Sequence, residues 1–322
     1  MVLPALLQID YYSVIHETSI LPKTGKVTGI INDLHSGSVV SLKHPDSFNT
    51  NSGRGDGLNK YQDGLWEFWK SDIVPKFQNL DCLILNGDLC ELMQPRNRMT
   101  ETWTPDPLDQ VANVLRLIAM LKPKTTYIIR GTPYHVIDGA LHVEELVGKY
   151  LNEGFDGRDY DEKYSFNIPK ATDCIKYRNR FSLEYRLINL SPPKSPPRVF
   201  HVTHHMSSTS AWQYRGTAPS KAMSTLMLNE SHFIDRKVWD RISGILRAHV
   251  HHYWYEESTN RMMLVNPAWQ LQTPFMFKVM PESPPDIGAC KLIVDNDGWI
   301  HHRKYILDSK VTRPPVFRPF ED

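Results

Sequence analysis

The sequence predicts an α/β fold in which two β-sheets pack face to face and helices flank them, an α-β-β-α sandwich. Three observations carry that expectation. Between residues 26 and 130, strand-like apolar runs alternate with amphipathic helical runs, the pattern of a parallel sheet with helices packed on it. From residue 164 onward strands dominate, and late strands beside an early βαβ half call for a second sheet. Carboxylates and imidazoles also gather just past the ends of apolar runs, where sheets of this class bind ligands.

Taken in order, residues 1–25 have no clear periodicity and read as an arm laid on the domain. Residues 26–32 form a first strand that runs into Asp33. The polar stretch 36–59 is a loop, and a loop beside a site can serve as a lid. It contains Arg54-Gly55-Asp56, which in an intracellular-looking chain is loop composition rather than an adhesion motif. Leu65, Trp66, Trp69, Ile73 and Phe77 recur at helical spacing over residues 61–77, and their aromatic face is expected in the core. A buried strand, Leu83-Ile84-Leu85-Asn86, then stops at Gly87-Asp88. A loop over 93–107 holds Arg96, Arg98 and Trp103. A helix with Val111, Val114, Leu115, Ile118 and Leu121 on one face follows, closed by Pro123.

The third strand, 125–130, leads into Gly131, and a short helix is expected over 141–151. Strands follow at 164–168, 181–190 and 198–203, the last two joined by a proline-rich hairpin loop, 191–197. A helix over 217–238 precedes strands at 244–248, 261–265, 275–279, 291–294 and 299–306. The expected organisation is an arm at 1–25, one domain over 26–310 and a tail at 311–322, with no internal repeat.

Composition narrows the function classes. With 41% hydrophobic and 23% charged residues the chain is ordinary for a globular protein. A net charge of +1 gives no electrostatic case for a dedicated nucleic-acid binder, although a local groove can still be basic. The four cysteines form no CxxC pair, which fits reduced thiols better than a disulfide framework or a structural zinc site. No apolar run approaches the roughly 20 residues that cross a bilayer, and the start lacks a positive region before its apolar residues. A soluble, cytoplasmic protein without a membrane partner is the expectation.

The chemistry lies in short doublets. Asp33 and His35 are two apart, so on an extended backbone they point to one side, and His249 and His251 repeat that spacing. Four convergent ligands of mixed oxygen and nitrogen type suit Mn²⁺, Fe²⁺ or Zn²⁺ better than Ca²⁺ or Mg²⁺ alone. His204, at the end of an apolar run, is the better ligand of the pair His204-His205. Arg215, in the aromatic-cation segment 212–216, is a candidate for holding a phosphate oxygen.

The order Asp33-x-His35, Gly87-Asp88, the Gly131-Thr132-Pro133-Tyr134-His135 turn, His204, then His249-x-His251 resembles the calcineurin-like metallophosphoesterase superfamily, with a turn similar to phage and prophage variants. The match spans residues 33–251. It implies a β-sandwich flanked by helices and two divalent metal ions, Mn²⁺ first among the candidates. Asp33, His35, Asp88 and His251 would hold the first ion. Asp88 would bridge to the second, whose other ligands would be His204 and His249. The implied reaction is hydrolysis of a phosphate ester by metal-activated hydroxide. A phosphodiester, with nucleic acid among the candidates, is placed ahead of a small-molecule phosphomonoester or nucleotide, and a non-catalytic role in an assembly is the further alternative.

Two departures bear on the second ion. The family's Gly-Asn-His-Asp turn has no asparagine here, since Thr132 stands in its place. His135 is displaced by two residues, which makes it either the proton donor or a replacement ligand. Glu91 is expected to support the site rather than ligate, and oligomeric state is not legible.

Overall fold

The structure is a computed structural model. It describes residues 24–49, 57–93, 101–138, 141–156, 167–168, 172–207, 212–229, 242–258, 261–279 and 283–307. The arm up to residue 23, the Arg54-Gly55-Asp56 tripeptide, Arg96, Arg98, the expected strand residues 164–166, the helix beyond residue 229 and the 311–322 tail lie outside the described residues.

Strand β1 (Lys26–Ile31) is followed by helix α1 (Lys60–Phe68), whose N-terminus carries a capping box made by Asn59 and Gln62. The helix runs through a π-helical turn, Trp69–Ile73, into a last turn, Val74–Phe77. Then come β2 (Cys82–Asn86), α2 (Pro107–Leu121), β3 (Thr125–Ile129), the single turn α3 (Pro133–Val136) and α4 (Val143–Glu153). Two short strands, β4 (Asp173–Cys174) and β5 (Ser182–Leu183), pair in parallel with β3. The other elements of the two main sheets and their flanking helices are β6 (Tyr185–Asn189), β7 (Val199–Thr203), α5 (Thr217–Asn229), β8 (Ile242–Arg247), β9 (Trp254–Ser258), β10 (Arg261–Val265), α6 (Pro274–Val279), β11 (Gly288–Val294) and β12 (Ile300–Ile306).

The first sheet has the order β12-β11-β1-β2-β3-β4, with β5 also beside β3. Its β1, β2 and β3 are mutually parallel, while β11 is antiparallel to β1. The second sheet has the order β6-β7-β8-β10-β9, with β7, β8 and β10 parallel. The strands read alternately on their two faces, as the pleat requires. Ile31, Leu83 and Leu85 pack outward into a core with Leu65, Trp69, Phe77, Leu115 and Ile118 of the helices. Ile30, Cys82 and Ile84 point the other way, into a core between the sheets with Phe200, Val202, Leu246 and Leu264. Ile245, Met263 and Val265 leave the back of the second sheet and meet Met223 of α5. The layers are therefore helix, sheet, sheet, helix, as expected.

One expected strand is a helix. Residues 275–279 belong to α6, because Thr273 starts a turn that Pro274 is shaped to enter. The Thr273 hydroxyl accepts from the Met276 N–H at 3.2 Å and its carbonyl from the Phe277 N–H at 2.9 Å. Phe275 and Phe277 are exposed, so the apolar run reflects no strand burial. In the opposite direction, β9 is a strand rich in glutamate that pairs antiparallel with β10. The hairpin expected around 191–197 joins β6 to β7.

Candidate metal centre

The carboxyl ends of β1, β2 and β3 in one sheet and of β7 and β8 in the other open toward one place. The turns beyond β1 and β2 keep pairing after the strands stop: Asp33 N–H donates to Gly87 O, His35 N–H to Asp88 O and Ser36 N–H to Leu89 O, each at 3.0 Å. The sheets are joined there too, as Trp269 N–H donates to the Asp33 carbonyl at 3.0 Å. The backbone bends sharply at these positions. Asp33, His35, Asp88, His249 and His251 all have positive φ, between 41° and 76°. That region is unfavourable for residues with a Cβ, and its clustering on site side chains is a mark of functional constraint.

Two glycines make the close approach possible. A Cβ on Gly87, which has φ 81°, would lie 2.5 Å from His204 Nδ1. A Cβ on Gly131 would lie 2.1 Å from Asp88 Oδ1. A side chain at either position would push a candidate ligand out of place.

The six expected ligands come together as two sets of three. Asp33, His35 and His251 form one and Asp88, His204 and His249 the other, with candidate ligand atoms within 4.8 Å inside each set. A further set joins His35, Asp88 and His135, so Asp88 touches both sides of the cluster. Asp33 Oδ1 is fully buried and accepts no hydrogen bond among the described residues. Three imidazole Nε2 atoms face it instead: His251 at 3.4 Å, His35 at 3.7 Å and His204 at 3.7 Å.

The other ring nitrogens fix which way the imidazoles present themselves. His204 Nδ1 lies 2.6 Å from the Asn86 carbonyl, which can only accept, so Nδ1 carries the proton. His35 Nδ1 lies 2.7 Å from Glu91 Oε2 and carries its proton in the same way. Both rings therefore turn Nε2 lone pairs inward, His35 Nε2 coming within 3.2 Å of His251 Nε2. His204 Nε2 stands 3.0 Å from Asp88 Oδ2 but off hydrogen-bonding alignment. Lone pairs and carboxylate oxygens crowded together need positive charge between them. Histidines oriented from behind by carbonyl and carboxylate are how proteins present ligands to a metal. The residues fit divalent cations.

Protons are the alternative source of that charge. Burial alone would lower the pKa of His35, but the nearby Asp33 carboxylate, the hydrogen bond to Glu91 and the charges of Glu91 and Asp88 lift it to about 10. Burial likewise opposes protonation of His204, and the Asp88 and Asp33 charges overcome it, lifting the ring to about 9. Asp33 and Asp88 are buried, which works against ionisation, yet the surrounding imidazoles hold both below the usual carboxylate range. His249 goes the other way: burial, and then the His204 charge, bring it down to about 4 and leave it neutral.

Asp88 is held as tightly as the histidines. The Thr132 N–H donates to its Oδ1 at 2.6 Å, and the Thr132 hydroxyl lies 3.0 and 3.1 Å from Oδ1 and Oδ2. Thr132 thus directs both its N–H and its hydroxyl at Asp88. His135 is buried beside the cluster, its ring edge-on to His35 at 4.5 Å between centroids. Its Nδ1 lies 2.9 Å from the Glu91 carbonyl, which turns Nε2 away from that contact. Burial, and then the His35 charge, lower its pKa.

Arg215 contacts the segment that leads away from His251. It is buried, donates to the Pro284 carbonyl at 3.3 Å and faces Asp286 Oδ2 at 3.9 Å. Asp286 N–H in turn donates to the His251 carbonyl at 2.8 Å, so Arg215 braces the segment that carries His251. Arg247 is also turned away, donating to the carbonyls of His201 and Leu246.

Three further residues shape the site. Asn32 donates to Asp33 Oδ2 and is itself bonded by Asn266, at the end of β10. Glu144, fully buried at the start of α4, accepts from the Gly131 N–H at 3.1 Å. A polar residue closing an apolar run next to a carboxylate is the sequence signal for Asn32. Glu144 has none, since it reads as an ordinary acidic residue in a first helical turn.

No family model matches the sequence, and no curated protein matches it. Solved structures with a similar chain course include an archaeal phosphodiesterase, at 10% identity and TM-score 0.39 over 87% of this chain and 99% of that one. Vps29 from Entamoeba histolytica, in a zinc complex, is similar at 7% identity and TM-score 0.36 over 87% and 98%. A conserved, uncharacterized Streptococcus pneumoniae protein described as a predicted phosphoesterase is similar at 8% identity and TM-score 0.32 over 89% and 100%. At these values the likeness adds nothing to what the chain's own layers and strand ends establish. In its two-sheet sandwich flanked by helices, and in the order and convergence of Asp33, His35, Asp88, His204, His249 and His251, the chain resembles the calcineurin-like metallophosphoesterase superfamily.

Proposed function

We propose that this chain hydrolyses a phosphate ester with two divalent cations, Mn²⁺ first among the candidates, and that its substrate is a phosphodiester, with nucleic acid among the candidates. The observation that carries the reading is Asp33 Oδ1, buried, without a hydrogen bond, and faced by three imidazole nitrogens. In this reading Asp33, His35 and His251 hold one ion, His204 and His249 the other, and Asp88 belongs to both. When bound, such ions neutralise phosphate oxygens and lower the pKa of a nearby water.

The chain's own residues do the rest. Thr132 keeps the Asp88 carboxylate fixed, and the Asn86 carbonyl holds the ring of His204 in place. His135 would hand a proton to the leaving oxygen from Nε2 in its imidazolium form, with Nδ1–H kept on the Glu91 carbonyl, and its lowered pKa makes that imidazolium the stronger acid while reducing the charged share of rings. Arg215 braces the His251 segment through Asp286 and is the candidate side chain for holding a phosphate oxygen beside the cations.

The test is turnover of bis-p-nitrophenyl phosphate, p-nitrophenyl phosphate and linear single- and double-stranded DNA, each with added Mn²⁺. We expect the diester to be preferred and Asp88→Asn to lose activity by orders of magnitude with its fold intact. Full activity in that variant would sink the reading. A second reading, a single-ion protein serving in an assembly, is favoured by one observation: the Thr132 hydroxyl is turned to Asp88. About one ion bound per chain, with no hydrolysis of any of these substrates, would favour it.

A further inference from the structure

Glu91 is buried three residues after Asp88, on the same loop, and it meets two histidines at once. Its carboxylate Oε2 receives His35 Nδ1 at 2.7 Å, and its backbone carbonyl receives His135 Nδ1 at 2.9 Å. Both histidines are therefore oriented from behind by one residue, through side chain on one side and main chain on the other. The carboxylate is itself held, as Gln270 Nε2 donates to the same Oε2 at 3.0 Å. The main chain is held as well, as the Glu91 N–H donates to the Ser36 carbonyl at 2.8 Å. Ser36 follows His35 directly, so Glu91 and the His35 turn are tied by backbone and by side chain together.

This arrangement has a specific chemical meaning. An imidazole whose Nδ1–H donates to a carboxylate is fixed in the Nε2-ligand tautomer and made a stronger electron donor than one bonded to a neutral group. His135 is hydrogen-bonded only to the carbonyl, which orients it, while the carboxylate Oε2 stands farther off, 4.0 Å from its Nδ1.

Resting on the phosphoesterase reading, we propose that Glu91 is a positioning residue: its carboxylate sets the affinity of the Asp33–His35–His251 position for a divalent cation, and its main-chain carbonyl aims His135. The two jobs are separable, because a side-chain substitution removes the bond to His35 and leaves the main-chain bond to His135 in place.

The experiment is isothermal titration of Mn²⁺ into the full chain as wild type, Glu91→Gln and Glu91→Ala, with circular dichroism melts of each. Glu91→Ala is expected to bind Mn²⁺ more weakly by about 10- to 100-fold. Glu91→Gln keeps a neutral acceptor in the same space and is expected to fall between the two. Turnover of bis-p-nitrophenyl phosphate should recover toward the wild-type kcat when Mn²⁺ is raised to saturation, which damage to the fold would not allow. The proposal is overturned if wild type binds Mn²⁺ and both variants, folded, bind it equally well. Should Glu91→Ala fail to fold, unchanged binding by Glu91→Gln overturns it. A wild type that takes up no divalent cation overturns the phosphoesterase reading and this proposal with it.

Discussion

Glu144 is fully buried beneath the Gly131 turn, close enough to Asp88 for the two carboxylates to repel each other. Burial first, and the Asp88 charge second, raise its pKa from 4.5 to about 8. A raised carboxylate keeps its proton in the folded chain after the unfolded chain has released it. The stability it contributes is full below pH 4.5 and is lost as pH climbs through about 8. Glu144→Gln retains an amide oxygen for the Gly131 N–H and never ionises. In chelator-treated protein, the melting temperature of the variant relative to wild type should therefore rise between pH 5 and pH 8. A difference independent of pH would show that Glu144 is already ionised in the folded chain.

At the scale of elements, helix ends and turns decide which residues reach the site. Helix α2 begins where the Asp106 side chain accepts from the Leu108 N–H at 2.8 Å, with Pro107 in the first turn. The inner face of α2 packs on the first sheet through Val114, Leu115 and Ile118. From the same helix, Gln110 accepts the Leu92 N–H at 2.8 Å, steadying the loop that carries Glu91. Asp106→Ala should cost about 1 kcal/mol through the lost cap, read as a lower urea midpoint with an unchanged slope. The site's chemistry should be untouched, because no ligand is borne by the helix. Helix α6 teaches the complementary lesson: the aromatic spacing of Phe275 and Phe277 imitates a strand, and the Thr273–Pro274 start overrides it.

Over the whole molecule, the two sheets meet at one edge, and like-charged carboxylates are gathered there among imidazoles. A cation that binds this arrangement and not the unfolded chain must stabilise the fold by mass action. At about 100 times its Kd the gain is about 2.7 kcal/mol. Mn²⁺ should raise the melting temperature by several degrees, and chelator should reverse the rise. Identical melts with and without Mn²⁺ would argue against a metal centre. Among the described residues no helix is long and apolar enough to cross a membrane.

Much of this was legible in the sequence, and the reasons are local. Apolar alternation is imposed by the pleat, so Ile30/Ile31 and Ile84/Leu85 declare two buried faces before any strand is paired. Strand ends are marked by abrupt polar residues, and Asp33, His35, Asp88, His204, His249 and His251 all stand at or just beyond such ends. Other features depend on neighbours distant in the chain. The return of β11 to pair with β1, in the register Lys26–Val294, and of β12 beside it, is one that no local pattern encodes. The turning of Arg215 toward Pro284 and Asp286, and the burial of Glu144 under Gly131, are others. By itself the sequence determined the layers and the set of ligand-type residues, because periodicity and residue chemistry are properties of short stretches. Only the tertiary structure decided that Thr132 bonds to Asp88, that Glu91 grips both His35 and His135, and which ring nitrogens face inward. Those depend on distances of 2.6–3.1 Å between residues tens of positions apart.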